Sequence, residues 1–67
     1  MGDVARVTEI SAQSETSFED AIKSGIERAS QTLRNVKGAW VKEQQVKVEG
    51  GKITEYQVNL LVTFVLE

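Results

Sequence analysis

Cysteine and histidine are both missing from this 67-residue chain, and their absence closes most of the routes by which so small a protein is stabilised or made reactive. A chain of this size buries only about 60% of the surface its unfolded form exposes. Small domains make up the deficit with disulfides, a structural metal or oligomerisation. Without thiol or imidazole groups the first is impossible and the usual zinc ligands are lacking, so oligomerisation is what remains. The same absence excludes a thiol nucleophile and a Ser-His-Asp triad. Ser11, Ser14, Thr16 and Ser17 have no base to activate them and read as turn and cap residues. The chain is not expected to be an enzyme.

An excess of either charge is lacking as well. Eight basic and ten acidic residues are interspersed, for a formal net charge of -2, which gives no field able to gather phosphate backbones, so nucleic acid is not an expected partner. No segment approaches the roughly 20 apolar residues that span a bilayer. The first residues show no signal-peptide core, and Met1-Gly2 lacks the downstream Ser or Thr of a myristoylation site. These features predict a soluble, cytoplasmic protein without a membrane partner. Asp3, Glu9, Glu43, Glu49, Glu55 and Glu67 lack the spacing of a calcium loop. They read as solvated charges or intersubunit ion pairs, and no metal site is expected.

What is present reads as one domain over residues 1–67. Val4 to Ile10 is rich in Val, Thr and Ile and predicts a first strand. The polar run SAQSETS follows, and within it Thr16 with Glu19, or Ser17 with Asp20, fits a capping box that opens a helix. Phe18, Ile22, Ile26, Ala29, Leu33 and Val36 then recur at steps of three and four, as on one apolar stripe of a helix. Gly38 after the last of them, with Arg34 and Lys37 before it, predicts the helix end there.

WVKEQQVKVE and KITEYQVNLLVTFVLE flank Gly50-Gly51, the pair suited to a two-residue hairpin turn. Counting outward from that turn pairs Glu49 with Lys52, Val46 with Glu55, Gln44 with Gln57, Lys42 with Asn59 and Trp40 with Leu61. Alternation puts Tyr56, Val58, Leu60, Val62, Phe64 and Leu66 on the face the helix covers, and Trp40, Gln44, Gln57, Asn59, Leu61, Thr63 and Val65 on the other. That second face suits neither open water nor a dry core. A strand from Lys52 to Leu66 would be roughly 50 Å long, against about 30 Å for the helix, so part of the hairpin needs cover from another copy. The fold class is therefore α+β: a β-α-β-β chain, its antiparallel strands packed on one helix, that must oligomerise.

SFEDAI at the helix start, RASQTLRN at its end and EYQVNLLVTFVLE closing the chain together resemble the dodecin family over essentially the whole sequence. The resemblance implies a three-stranded antiparallel sheet wrapped around one helix, and twelve such chains assembled into a hollow dodecamer. It also implies storage of a flavin, riboflavin or FMN, at subunit interfaces without turnover. In that family a tryptophan just after the helix stacks on the isoalloxazine ring, and a glutamine following a tyrosine on the last strand hydrogen-bonds its polar edge. Tyr56-Gln57 matches the second motif, which implies that role for Gln57. At the first, Gly38 holds the tryptophan position and Trp40 falls two residues later, a displacement of ~6.6 Å along a strand.

Trp40 is thus read as a stacking platform or as an aromatic anchor of the subunit contact. Gln57 is read as a ligand contact or as one half of a cross-strand amide pair with Gln44. Gln44, and with it Gln45, is a secondary candidate for lining the same site. The alternative to flavin storage is a flavin-free shell of the same architecture that holds another small ligand or ion, and Gly38 is the residue that favours it.

Overall fold

The computed structural model describes residues 3–66, so Met1, Gly2 and Glu67 lie outside it. Strand β1 (Ala5–Ser14), helix α1 (Phe18–Thr32), strand β2 (Val36–Glu49) and strand β3 (Lys52–Val65) follow one another in that order. They form a three-stranded antiparallel sheet, ordered β1-β3-β2, with α1 on one face. This is the α+β, β-α-β-β architecture expected from the sequence.

Strand β1 runs four residues further than Val4–Ile10 predicted, because Ser11 to Ser14 continue the unbroken ladder with β3. The polar residues there do not mark a loop. Ala12 and Ser14 face the helix, opposite Val58 and Tyr56, while Ser11 and Gln13 alternate onto the other face. Ser14 is buried at the junction, where its hydroxyl donates to Asp20 Oδ2 (2.7 Å) and accepts the backbone N–H of Thr16 (2.9 Å). Of the two predicted capping pairs the structure selects Ser17 with Asp20: Ser17 is the N-cap, and its hydroxyl accepts Asp20 N–H at 3.0 Å.

Helix α1 ends at Thr32, six residues before Gly38. The left-handed residue is Asn35 (φ 58°), and Gly38 already lies in β2. Asn accepts that conformation because its short polar side chain bonds locally, and the Asn35 carbonyl accepts Val65 N–H at 3.1 Å, tying the reversal to the far end of β3. Arg34 and Lys37 therefore do not sit in the last helical turn, which holds no basic residue. Leu33 and Val36 keep their predicted place against the core while leaving the helix.

The centre of the core is Val58, Leu60 and Val62 of β3 against Ala21 of α1, bordered by Ile10, Ala12, Phe18, Ile22 and Ile26. The helix stripe closest to the sheet is Ala21, Gly25 and Ala29, one residue per turn. A Cβ built on Gly25 would stand 3.0 Å from Ala12 Cβ and 3.1 Å from Leu60 Cδ1. Small residues here bring α1 down onto β1 and β3, and the larger Phe18, Ile22 and Ile26 flank it. Phe18 meets Tyr56 edge to face, with ring centroids 5.1 Å apart.

The turn at Gly50 (φ 57°) and Gly51 (φ 77°) closes the hairpin as expected, both residues holding the positive angles of a primed turn. Beyond it the helix gives no cover. Every residue of β2 after Val36 is exposed, and the long axis of the molecule reaches 53 Å.

Candidate functional site

The sheet face opposite α1 carries the candidate residues, and the register decides which of them meet. Glu49 pairs with Lys52 and Trp40 with Leu61, as the count from the turn predicts. Between them the register slips by one residue and then returns. Thr54 is the extra residue on β3, between pairs Val48/Ile53 and Lys47/Glu55, and Lys42 is the extra residue on β2, between pairs Glu43/Asn59 and Val41/Leu60.

Inside that slipped segment the predicted partners are wrong. Gln45, not Gln44, lies opposite Gln57; Val46 faces Tyr56 rather than Glu55; Glu43 faces Asn59. Gln44 pairs with Val58, which places it on the helix side of the sheet. It is therefore not a neighbour of Gln57 on the outer face, and Gln45 takes that place. A single extra residue has this effect because side chains alternate with a period of two.

Across the outer face, Gln13 of β1, Gln57 of β3 and Gln45 of β2 form one amide row. Gln57 Oε1 accepts from Gln13 Nε2 (3.4 Å), and Gln57 Nε2 donates to Ser11 Oγ (3.2 Å). β1 rather than Gln44 supplies the structural partners of this amide. A carboxamide has two N–H donors and an oxygen that accepts twice, so Gln57 retains one donor and one acceptor after these bonds are made. Its orientation is set while half its capacity stays open.

The next row is ionic. Glu9 accepts from Lys42 Nζ (3.2 Å) and from Asn59 Nδ2 (3.2 Å). The bulge explains the reach of Lys42, since the unpaired residue turns out over β3 towards β1. The Lys42 hydrogen bond first, then Asn59 and the Lys42 charge, hold the Glu9 carboxyl below its ordinary value of 4.5. Lys47 pairs with Glu55 across the hairpin at 3.2 Å. Further along, Trp40 lies opposite Leu61 and is 54% exposed.

Leu61 and Gln57 are four residues apart on β3, which separates the indole and amide rows by ~13 Å. Side chains on one sheet face stand parallel, so both groups address the space above the sheet rather than each other. Gly38, opposite Thr63, sits a further step along, and a Cβ built there meets nothing within 4 Å.

Two open grooves flank the helix on the opposite side of the sheet. One, of about 480 Å³ between β1 and α1, has a floor of Ile10, Ala12, Gly25 and Ala29, with Arg28 and Thr32 at its rim. The other, of about 330 Å³ between α1 and β2, includes Ile22, Ile26, Val41 and Leu60, and Trp40 borders it. Among the described residues no group of three or more Asp and Glu side chains converges as a metal site, and no helix is long and apolar enough to cross a membrane.

Comparison with known proteins bears on this face directly. A family model described as Dodecin matches residues 4–67. The chain is similar to the dodecin of Thermus thermophilus, 39% identical over 67 residues that cover 100% of this chain and 97% of the relative. Among solved structures it is similar to dodecin from Streptomyces davaonensis, with TM-score 0.92, 37% identity and coverage of 100% and 98% of the two chains. It is also similar to the calcium dodecin of Mycobacterium tuberculosis, described as a calcium-chelating antigen with a novel calcium-binding site, with TM-score 0.81, 34% identity and coverage of 96% and 91%.

Proposed function

The chain belongs to the dodecin family, and on that premise we propose that it is a binding and storage protein that sequesters a flavin, riboflavin or FMN, between the subunits of a homododecamer. The observation that carries the reading is the Gln57 amide, fixed by Gln13 and Ser11 yet with one donor and one acceptor still open towards the space above the sheet. A flavin ring presents a polar edge of alternating acceptors and a donor, and the remaining valences of Gln57 complement it. Gln45, opposite Gln57, offers a second amide to the same edge. The half-exposed indole of Trp40 supplies a flat face for stacking.

The space above the amide and indole rows is open in a single chain, which is why the reading puts the ligand between copies. Val7, Trp40, Val48, Ile53 and other large apolar side chains stand exposed, and covering such surface is what stabilises association. When bound, the flavin contributes no turnover in this reading. The protein's own residues orient its edge, cover its ring and, through the indole, quench its excited state. Holding a ground state tightly is the opposite of what catalysis requires.

A titration of riboflavin fluorescence with the assembled protein tests this. Quenching that saturates at a fixed ratio of flavin to subunit supports the reading, and unchanged fluorescence in the presence of an intact particle refutes it for riboflavin. The second reading is a flavin-free shell that holds another small ligand or ion. It is favoured by Gly38, which leaves open space where the family's stacking tryptophan would stand. Trp40→Ala separates the roles of the indole: a stacking role predicts an intact particle without quenching, and an anchoring role predicts loss of the particle.

A further inference from the structure

We propose that the site selects the uncharged flavin, riboflavin, over its phosphate ester FMN, and that Glu43 sets the preference. This rests on the flavin-storage reading above and narrows it to one ligand.

A phosphate at this site meets few of the chain's eight basic residues. Lys42 and Lys47 are the two on the outer face near the amide row. Lys42 Nζ stands 3.2 Å from Glu9 Oε1 and Lys47 Nζ 3.2 Å from Glu55 Oε1, so each is already matched by a carboxylate of the same face. The other basic residues stand elsewhere. Arg6 pairs with Phe64 on the helix side, Lys23 and Arg28 belong to α1, and Arg34 follows it. Lys52 lies at the turn and Lys37 beyond the Gly38/Thr63 pair, roughly 16 Å and 20 Å from the Gln57 row along the strands. Exposed charges that far apart are largely screened at physiological salt, where the Debye length is about 8 Å.

Glu43 tips the balance. It lies on the outer face opposite Asn59 and two residues from Gln45, ~6.6 Å along β2. The Asn59 amide is turned to Glu9, donating to Oε2 at 3.2 Å, and Glu43 is exposed without an ion-pair partner among the described residues. Around the amide row stand three carboxylates, Glu9, Glu43 and Glu55, and two ammonium groups, Lys42 and Lys47, a formal excess of one negative charge. A second copy that presents the same face to the ligand adds the same excess again, because the chains are identical.

The chemistry of the ligand turns this excess into a choice. The ribityl chain leaves the isoalloxazine ring beside the polar edge that Gln57 and Gln45 address, and with single bonds of about 1.5 Å its end stays within roughly 10 Å of them. In riboflavin that end is a hydroxyl, which the neutral Ser11, Gln13 and Gln45 groups of the same rows can hydrogen-bond. In FMN it is a phosphate with close to two negative charges at neutral pH. The phosphate meets like charge at Glu43, or else draws Lys42 or Lys47 away and leaves Glu9 or Glu55 unpaired. Either way FMN loses affinity relative to riboflavin, by a repulsion that salt screens.

The test compares riboflavin and FMN on the assembled protein by fluorescence titration, with the ratio of their Kd values as the readout. At neutral pH and low salt, about 20 mM, riboflavin is expected to bind about tenfold more tightly, and at about 0.5 M salt the gap is expected to close to within about threefold. Glu43→Gln is expected to narrow the low-salt gap to about threefold, and Glu43→Lys to bring it to parity or reverse it, with light scattering verifying that the particle is kept. Any effect of these changes on packing falls on both ligands and cancels in the ratio. A parent that binds both flavins equally, or prefers FMN, at low salt overturns the selectivity while the flavin reading stands. A ratio that Glu43→Gln and Glu43→Lys leave unmoved overturns the assignment to Glu43. Binding of neither flavin by an intact particle overturns the flavin reading itself.

Discussion

Gly25→Ala isolates the close approach on which the helix-to-sheet packing rests. In a solvated helix this change stabilises by about 1 kcal/mol, because glycine loses more backbone freedom on folding. Here the added methyl would stand 3.0 Å from Ala12 Cβ, 3.1 Å from Leu60 Cδ1 and 3.6 Å from Ile10 Cδ1. Carbon pairs prefer separations of about 3.5–4.0 Å, so α1 must rise by roughly half an ångström or Leu60 must change rotamer. Ala12 Cβ has no torsion with which to retreat, and Leu60 is fully buried. Ala21 and Ala29, one turn to either side, hold the helix down. Overpacking of this kind costs about 1–3 kcal/mol. Set against the helical gain, the expected net loss is about 1 kcal/mol, with Gly25→Val worse by a further 1–3 kcal/mol. Urea denaturation at one fixed protein concentration measures it, since association shifts the midpoint by mass action. In an Ala12→Gly background the Gly25→Ala change is expected to become neutral or stabilising. A higher urea midpoint for Gly25→Ala in the parent background would refute the reasoning.

At the site, Gln45→Ala is expected to weaken riboflavin binding several-fold, as befits one hydrogen bond of about 1 kcal/mol. Gln44→Ala, on the helix side, should leave it within twofold, and fluorescence titration of both variants checks the register. Glu9 has its pKa lowered by Lys42 and Asn59, so its contribution to stability is present above the ordinary value near 4.5 and is lost as pH falls below it. Lys42→Gln is expected to move the Glu9 titration, followed by carboxyl NMR, back up towards 4.5, and an unmoved titration would break the link. Gly51→Ala places a side chain at φ 77°, which costs about 1–2 kcal/mol and should lower the urea midpoint accordingly.

Much of the fold could be read directly because each element carries a local cause. Gly50-Gly51 supplies angles that few other residues adopt, and the even-numbered run Val58, Leu60, Val62 has one period and one face. The helix was harder to delimit. Leu33 and Val36 continue the spacing of the apolar stripe and do pack on the core, but from an extended segment, so the periodicity located their burial and not their conformation. The positions nearest the sheet were missed for a related reason. Ala21 and Gly25 carry no hydrophobic signal, and their importance lies in the volume they leave free. Ser11 and Ser14 were read as turn and cap residues beyond a strand ending at Ile10 because the outer face of β1 is polar, when polarity there belongs to the face and not to the end of the strand.

The cross-strand partners around Gln57 were misassigned by a rule that holds within each strand and fails across the bulges, although the sequence contains a trace of the failure. On the helix side of β2, beyond Val36 and the bulge at Lys37, the apolar residues are Ala39, Val41, Val46 and Val48. Val41 and Val46 are five apart, and in a regular strand an odd step puts two residues on opposite faces. Both face α1, so one residue between them must be extra, and it is Lys42. On β3, Ile53 and Tyr56 are three apart and share the helix side, which demands an extra residue there too, and it is Thr54. The two insertions lie on opposite strands and cancel, so the pairs outside them, Glu49 with Lys52 and Trp40 with Leu61, match a count that is wrong between them. The consequence for function is concrete. The slipped segment swings Lys42 over to Glu9 and exchanges Gln44 for Gln45 beside Gln57, so the amide row keeps a β2 glutamine while the Lys42–Glu9 pair depends on the bulge.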